Sequence, residues 1–379
     1  MSGLYIHVPF CTQRCIYCDF YFTTTSRDTG AFARAVVAEM EMAADDVRGP
    51  LATLYLGGGT PSLLPLRDLA TILDAAHRLF DTSALEEVTL EANPEDLERA
   101  TPGALRAMGV TRLSLGVQSF FDDDLRWMNR AHDAAQAERA VEATAAAFDT
   151  FSVDLIFGVP DQPFEHWGAN LERALRLGAP HLSAYSLTVE PRTVLGKRVG
   201  AGLVIAEDDD ALRERFLFTH DFLEERGLAH YEVSSFARPG HQSRHNTRYW
   251  THGDVIGLGP GAHSFRRETR SRAWRWANAT PLARWHALVA ARERPLESRE
   301  ALDADALADE AVLLGLRRLD VGLDLDALAD DYGVDLLAEK PAELAALTGA
   351  GLLTVTGRRV ALTPEGAAVA DAIALRLVD

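Results

Sequence analysis

Cys11-Thr-Gln-Arg-Cys15-Ile-Tyr-Cys18 holds every cysteine of a 379-residue chain and directly follows the apolar run 4–10. An odd number of thiols at such close spacing cannot pair off into disulfides. A structural zinc site normally takes four protein ligands, so a zinc loop here would have to borrow a histidine such as His7 or His132. Three thiolates on one short loop can instead hold three irons of a 4Fe-4S cubane, leaving the fourth iron open to a small molecule. The C-x3-C-x2-C spacing is not a usual zinc spacing, which favours the cluster and makes Cys11, Cys15 and Cys18 the candidate metal ligands.

Working outward, short apolar runs alternate with amphipathic stretches, the pattern of βα units on a parallel sheet. Strands are expected over 4–7, 53–56, 87–91, 112–116, 151–157 and 181–187, and helices over 31–44, 66–79, 134–147 and 167–177. Six strands with right-handed crossovers make an α/β open or partial barrel, whose curvature the pattern alone does not fix. A helix over 211–226 follows, then a Gly/Arg-rich stretch to Ser264. Past residue 301 the chain turns alanine- and aspartate-rich, and it ends in a helix, hairpin, helix order that suits a small winged-helix-like module.

The formal net charge is −18 at a pI near 5.1. That argues against a sequence-independent nucleic-acid surface, even with a winged-helix-like end. The acidic groups at 207–210, 303–310 and 320–331 read as solvated helix faces. Arg266, Arg267, Arg270, Arg272 and Arg275 form a local basic segment, which suits an ordinary surface helix or loop as well as an anionic partner. No apolar run approaches the roughly 20 residues of a membrane span, and the opening residues leave no room for a signal peptide. A cytoplasmic, reducing location is expected, where thiolates survive as metal ligands.

Polar residues recur at the carboxyl ends of the expected strands, where parallel αβ architectures collect their functional groups. Gly57-Gly58-Gly59-Thr60-Pro61, Glu91-Ala92-Asn93-Pro94, Gly116-Val117-Gln118-Ser119 and Asp154 occupy such ends. The three glycines let a backbone approach a ligand closely, though a tight βα turn would use them too. Glu91, Gln118, Arg130 and Asp154, taken singly, read equally as structural ion-pair residues.

The cysteine spacing, with Tyr17 before the third cysteine, resembles the radical S-adenosylmethionine superfamily. The resemblance implies a partial (β/α)6 barrel, and an open iron chelated by the amino and carboxylate groups of S-adenosyl-L-methionine. It also implies that the glycine loop contacts those same groups. Together the strand-end residues resemble the coproporphyrinogen III dehydrogenase branch. There the positions matching Tyr5, Tyr17, Gly58, Gly59, Thr60, Glu91, Gln118, Arg130 and Asp154 bind S-adenosylmethionine.

That dehydrogenase carries a further cysteine just past its cluster motif, where this chain has Asp19-Phe20, and an N-terminal extension that is expected to be absent here. The chain reads instead His245-Asn246-Thr247-Arg248-Tyr249-Trp250, similar to the H-N-x-x-Y-W pattern of the HemW haem-chaperone subfamily. The resemblance implies a haem site on His245, Tyr249 and Trp250, an imidazole ligand beside flat aromatic faces. His241, His252 and His263 compete as axial ligands, and an anchored loop explains the hexapeptide on physics alone.

The domains are accordingly read as a core barrel with the cluster and S-adenosylmethionine sites over 1–235, a barrel-closing segment with the haem motif over 236–295, and a winged-helix-like domain over 296–379. The loop 257–264 is expected at the barrel mouth. The expected function is haem binding and transfer to client apo-haemoproteins, membrane respiratory enzymes among the candidates. Membrane contact is at most peripheral, and a homodimer is among the allowed assemblies. Oxygen-independent coproporphyrinogen III dehydrogenase, or another radical oxidoreductase, is the alternative.

Overall fold

The computed structural model describes residues 1–25 and 28–378. Six parallel strands pair in chain order: β1 (Ser2–Val8), β2 (Leu51–Gly58), β3 (Glu87–Ala92), β4 (Arg112–Gln118), β5 (Phe151–Phe157) and β6 (His181–Ser186). Side chains alternate across each strand. Leu4, Ile6, Leu54, Leu56, Leu90, Leu113, Leu115, Val153 and Leu155 point to one face and join the main apolar core. The other face, with Tyr5, Tyr55, Glu91, Ser114 and Asp154, bends into a polar lumen. Local sequence helps set the helices: Asp28 caps Thr29–Met42 through the Ala31 N–H, and Asp133 with Gln136 forms a capping box on Ala134–Ala147.

The sheet runs on past the six-strand unit to twelve strands. On one edge β7 (Ala229–Glu232) and β8 (Ser235–Ala237) add antiparallel strands to β6. On the other, β9 (Val255–Leu258) lies parallel to β1, followed by antiparallel β10 (His263–Thr269), β11 (Arg272–Asn278) and β12 (Leu296–Leu302). The basic segment is therefore a β-hairpin rather than a helix or loop. Four of its five arginines meet the protein's own acids: Arg266 bonds Asp46, Arg270 pairs with Asp331, Arg272 with Glu268, and Arg275 with Glu300 and Glu310. Of the stretch 257–264, Gly257 and Leu258 belong to β9 and only the turn after them reaches the carboxyl end of β1.

A second core, Ala311 to Leu377, holds the C-terminal part together. Its three-stranded sheet, β13 (Leu323–Asp324), β15 (Arg359–Leu362) and β14 (Leu353–Thr356) in spatial order, carries the expected helix, hairpin, helix sequence. Among the described residues, no helix is long and apolar enough to cross a membrane.

One buried carboxylate ties the extra strands to the barrel. Glu39 accepts hydrogen bonds from the Gly259 N–H, Asn278 Nδ2 and Trp285 Nε1, at 2.8, 2.6 and 3.0 Å. Burial outweighs these donors and raises its carboxyl from 4.5 to about 7. The folded protein then binds more protons than the unfolded chain between those values, so this group's contribution to stability falls as pH rises from about 4.5 to about 7 and is flat above. Urea midpoints of the wild type and Glu39→Gln, compared across that window, should show the wild type losing ground to the variant as pH rises. A pH-independent gap would remove this role from Glu39.

Candidate functional site: a cysteine loop over a polar barrel lumen

The loop after β1 closes on itself. Cys11 N–H donates to Thr23 O and Thr23 N–H to Pro9 O, at 3.1 and 2.6 Å. Ile16 pins the far side, packing beside Leu125 and Met128 and bonding through its backbone to Met128 O and from Leu195 N–H. The three half-buried cysteines face one cavity of about 630 Å3 at the carboxyl ends of the strands.

Side-chain donors from the barrel reach the sulfurs. Arg130 Nη1 lies 3.2 Å from Cys15 Sγ while Nη2 donates to Asn93 Oδ1 and Gly116 O, and Thr60 Oγ1 lies 3.7 Å from Cys11 Sγ. Burial pushes the Cys11 thiol up to about 11 against the Thr60 bond, and raises the Cys18 and Tyr17 groups as well. Thiolates at this site therefore call for a strong local cation, as metal binding supplies. His7 and His132 are not spare ligands. His7 bonds Tyr5 OH and Tyr21 O, and His132 bonds Glu95 and Val117 O.

The glycine loop forms the wall beside the cysteines. Gly58 has φ +107, and a Cβ on Gly59 would stand 2.8 Å from both the Phe10 and Val8 carbonyls, so only glycine brings this backbone so close. Gly58 N–H donates to Glu91 Oε2 at 2.9 Å. Burial raises Glu91 to about 7, with Tyr55 and Gly58 opposing. Across the cavity, Asp154 Oδ2 accepts from Ser114, while its Oδ1 and Arg130 Nε are buried without a protein partner. Such orphaned polar atoms lining a cavity suit a polar ligand that completes them.

Eleven of the residues singled out in the sequence thus share this one cavity: Cys11, Cys15, Tyr17, Cys18, Gly58, Gly59, Thr60, Glu91, Gln118, Arg130 and Asp154. Three thiols facing one cavity fit a 4Fe-4S cluster with an open iron, and the glycine backbone and orphaned carboxylate oxygen fit an amino-acid and ribose-bearing ligand. Tyr5 lies outside, in the aromatic layer beneath, bonded to His7. Asn93 also lines the cavity, and Tyr185 lines it unforeseen. Asn93 had a signal in its strand-end position, whereas Tyr185 sat unmarked within an apolar run.

His245, Tyr249 and Trp250 lie at the opposite, amino-terminal end of the barrel, on the short helix Arg244–Trp250. Glu87, the first residue of β3, accepts the Arg244 and His245 N–H groups, each at 3.0 Å. His245 points into the lumen, 1% exposed, with Nδ1 bonded to Thr53 Oγ1 and Nε2 to Tyr249 OH. Burial drives its pKa down to about 3, so the imidazole is neutral. Tyr249 keeps 37% of its surface open, and burial around its hydroxyl raises its phenol. Trp250 lies under the Arg317 guanidinium at 5.0 Å, its Nε1 buried without a partner. Of the competing histidines, His241 bonds Thr150, His252 bonds Tyr332 and Glu310, and His263 is exposed.

Residues 5–174 match the model of the radical SAM superfamily, and residues 302–369 that of the HemN C-terminal domain. Over 99% of its length the chain is 39% identical to the Heme chaperone HemW of Mycobacterium tuberculosis, covering 94% of that protein. It is 34% identical to the Heme chaperone HemW of Bacillus subtilis, over 97% of the chain and 96% of the relative. Among solved structures, the coproporphyrinogen III oxidase HemN of Escherichia coli, described as a radical SAM enzyme, superposes with a TM-score of 0.84 at 23% identity. That match covers 99% of this chain and 89% of the other.

Proposed function

Since the chain belongs to the HemW family of the radical SAM superfamily, we propose that it binds haem and hands it to haem-dependent proteins. Cys11, Cys15 and Cys18 would hold a 4Fe-4S cluster, with S-adenosyl-L-methionine at the open iron against Gly58, Gly59, Thr60, Glu91, Gln118, Arg130 and Asp154. When bound, that pair supplies a site for one-electron chemistry at the sulfonium. The chain's own part is to seat the ligand and steady the sulfurs through Arg130 and Thr60. Client apo-haemoproteins, a cytoplasmic location, peripheral contact with membranes and self-association as a dimer belong to the same reading.

The observation that carries the haem assignment is the His245–Trp250 hexapeptide within a chain 39% identical, end to end, to a protein named Heme chaperone HemW. Chemistry supports it: a neutral imidazole is the form that ligates iron, and two aromatic faces stand beside it. In the described state both ring nitrogens are engaged and the ring is buried, so ligation by His245 requires one of these bonds to break, as opening of the helix would do. The anaerobically reconstituted protein titrated with haem should show saturable binding by absorbance. Removing a ligand's outer partners alone lowers affinity 10–100-fold, so His245→Ala should weaken binding by about a hundredfold or more. No uptake by the wild type would sink the proposal. So would conversion of coproporphyrinogen III to protoporphyrinogen by the same sample.

A further inference from the structure

Tyr55 stands between the two sites and touches both. It projects from the middle of β2 into the lumen, its phenol donating to Glu91 Oε1 at 2.7 Å. The other oxygen of Glu91 holds the Gly58 N–H, and both Glu91 and Gly58 line the cysteine cavity. The ring of Tyr55 packs on the opposite side against the His245 imidazole, centroids 4.9 Å apart and planes at 32°. Tyr5 completes the layer, 5.9 Å from Tyr55 and 6.4 Å from His245.

There is little slack in this layer. A Cβ on Gly57 would stand 2.7 Å from Tyr55 Cε1 and 2.9 Å from Glu91 Oε1. A side chain packed this closely does not drift; it holds one arrangement or switches to another. A hydroxyl or ammonium ligand that enters the cavity and donates to Glu91 Oε1 draws on the oxygen that accepts from Tyr55, and so weakens the Tyr55 bond. With that bond weakened, the Tyr55 ring is free to shift from its present contact with His245.

We infer that Tyr55 is a positioning residue that couples occupation of the cysteine cavity to release of the His245 helix. The inference rests on the proposed haem role of His245, and it gives the coupling a sign. A ligand that takes the Glu91 oxygen loosens the helix and so favours haem. Linkage makes the effect reciprocal, with haem raising the affinity for S-adenosylmethionine by the same factor.

The test uses the full chain, reconstituted anaerobically, as wild type and Tyr55→Phe, which keeps the ring and removes the hydroxyl. Haem affinity is measured with and without S-adenosylmethionine, and hydrogen exchange of 244–250 is followed under the same conditions. In the wild type, S-adenosylmethionine should tighten haem binding by about tenfold and speed exchange of the helix. In Tyr55→Phe both effects should shrink toward nothing. A merely structural tyrosine would change the separate affinities and leave their ratio as in the wild type, which would overturn the inference. No effect of S-adenosylmethionine on wild-type exchange would overturn it too. Failure of the haem reading is distinguishable: haem uptake would then be absent, while the exchange arm would still decide the coupling.

Discussion

The Cys18→Ala protein, reconstituted anaerobically with iron and sulfide, is expected to hold essentially none of the cluster iron and acid-labile sulfide that the wild type holds. Each cysteine of such a site serves its own iron, and the chain has only three, all on this loop. No distant thiol can swing in to substitute. Alanine is the informative replacement, because the oxygen of a serine could still ligate. The fold should survive: Cys18 is half-buried, and the loop is held by the Cys11–Thr23–Pro9 backbone bonds and by Ile16. Far-ultraviolet circular dichroism should therefore match the wild type while the brown absorbance is lost. Haem uptake without S-adenosylmethionine should persist, because the 244–250 helix bonds to Glu87 and Thr53 at the other end of the barrel. Iron and sulfide at wild-type levels in Cys18→Ala would refute the ligand assignment.

What the sequence made legible follows from how completely each element is buried. The six parallel strands were placed within two or three residues because their outward residues form unbroken apolar runs that only a covered sheet explains. The cavity residues were legible because parallel topology gathers strand ends, so widely separated positions such as Thr60, Glu91, Gln118 and Asp154 had to converge. β10 to β12 were not legible. Arg266, Arg270, Arg275 and Trp274 are half-buried or exposed, and the partners of these arginines, Asp46, Asp331 and Glu310, come from remote segments that no local pattern announces. Those pairings also explain why a basic segment on a chain of net charge −18 leaves few of its charges free.

The position of the His245 helix was hidden for a related reason. A seven-residue helix bearing one histidine and two aromatics carries no periodic signal. Its burial depends on a carboxylate contributed by β3 and on a histidine two residues past its own end. His252 stacks on Phe265 at 4.5 Å and bonds Tyr332 and Glu310, tying the helix exit to the hairpin and to the C-terminal part. Motif reading names the residues of such a site; only the tertiary structure says that His245 faces inward.

Replacing Glu87 by alanine should free that helix. The carboxylate is 5% exposed and takes the first two helical N–H groups on separate oxygens. Alanine leaves both donors without an acceptor in a buried setting, and hydrogen bonds to charged groups contribute about 1.5–3 kcal/mol each. The two share one acceptor and do not add fully, so local opening should become easier by about 3 kcal/mol. Hydrogen exchange over 244–250 should then accelerate by about a hundredfold. The neighbouring Arg244–Glu86 pair is exposed and offsets little of this. Glu87→Gln, which keeps one carbonyl acceptor, should fall between. If haem binds only the opened helix, its apparent affinity is reduced by the fraction open. Glu87→Ala should therefore take up haem more tightly than the wild type, the reverse of what a damaged binding site does. Unchanged exchange would show that Glu87 does not hold the helix, and faster exchange with weaker haem binding would show that the buried arrangement of His245 is itself the binding-competent one.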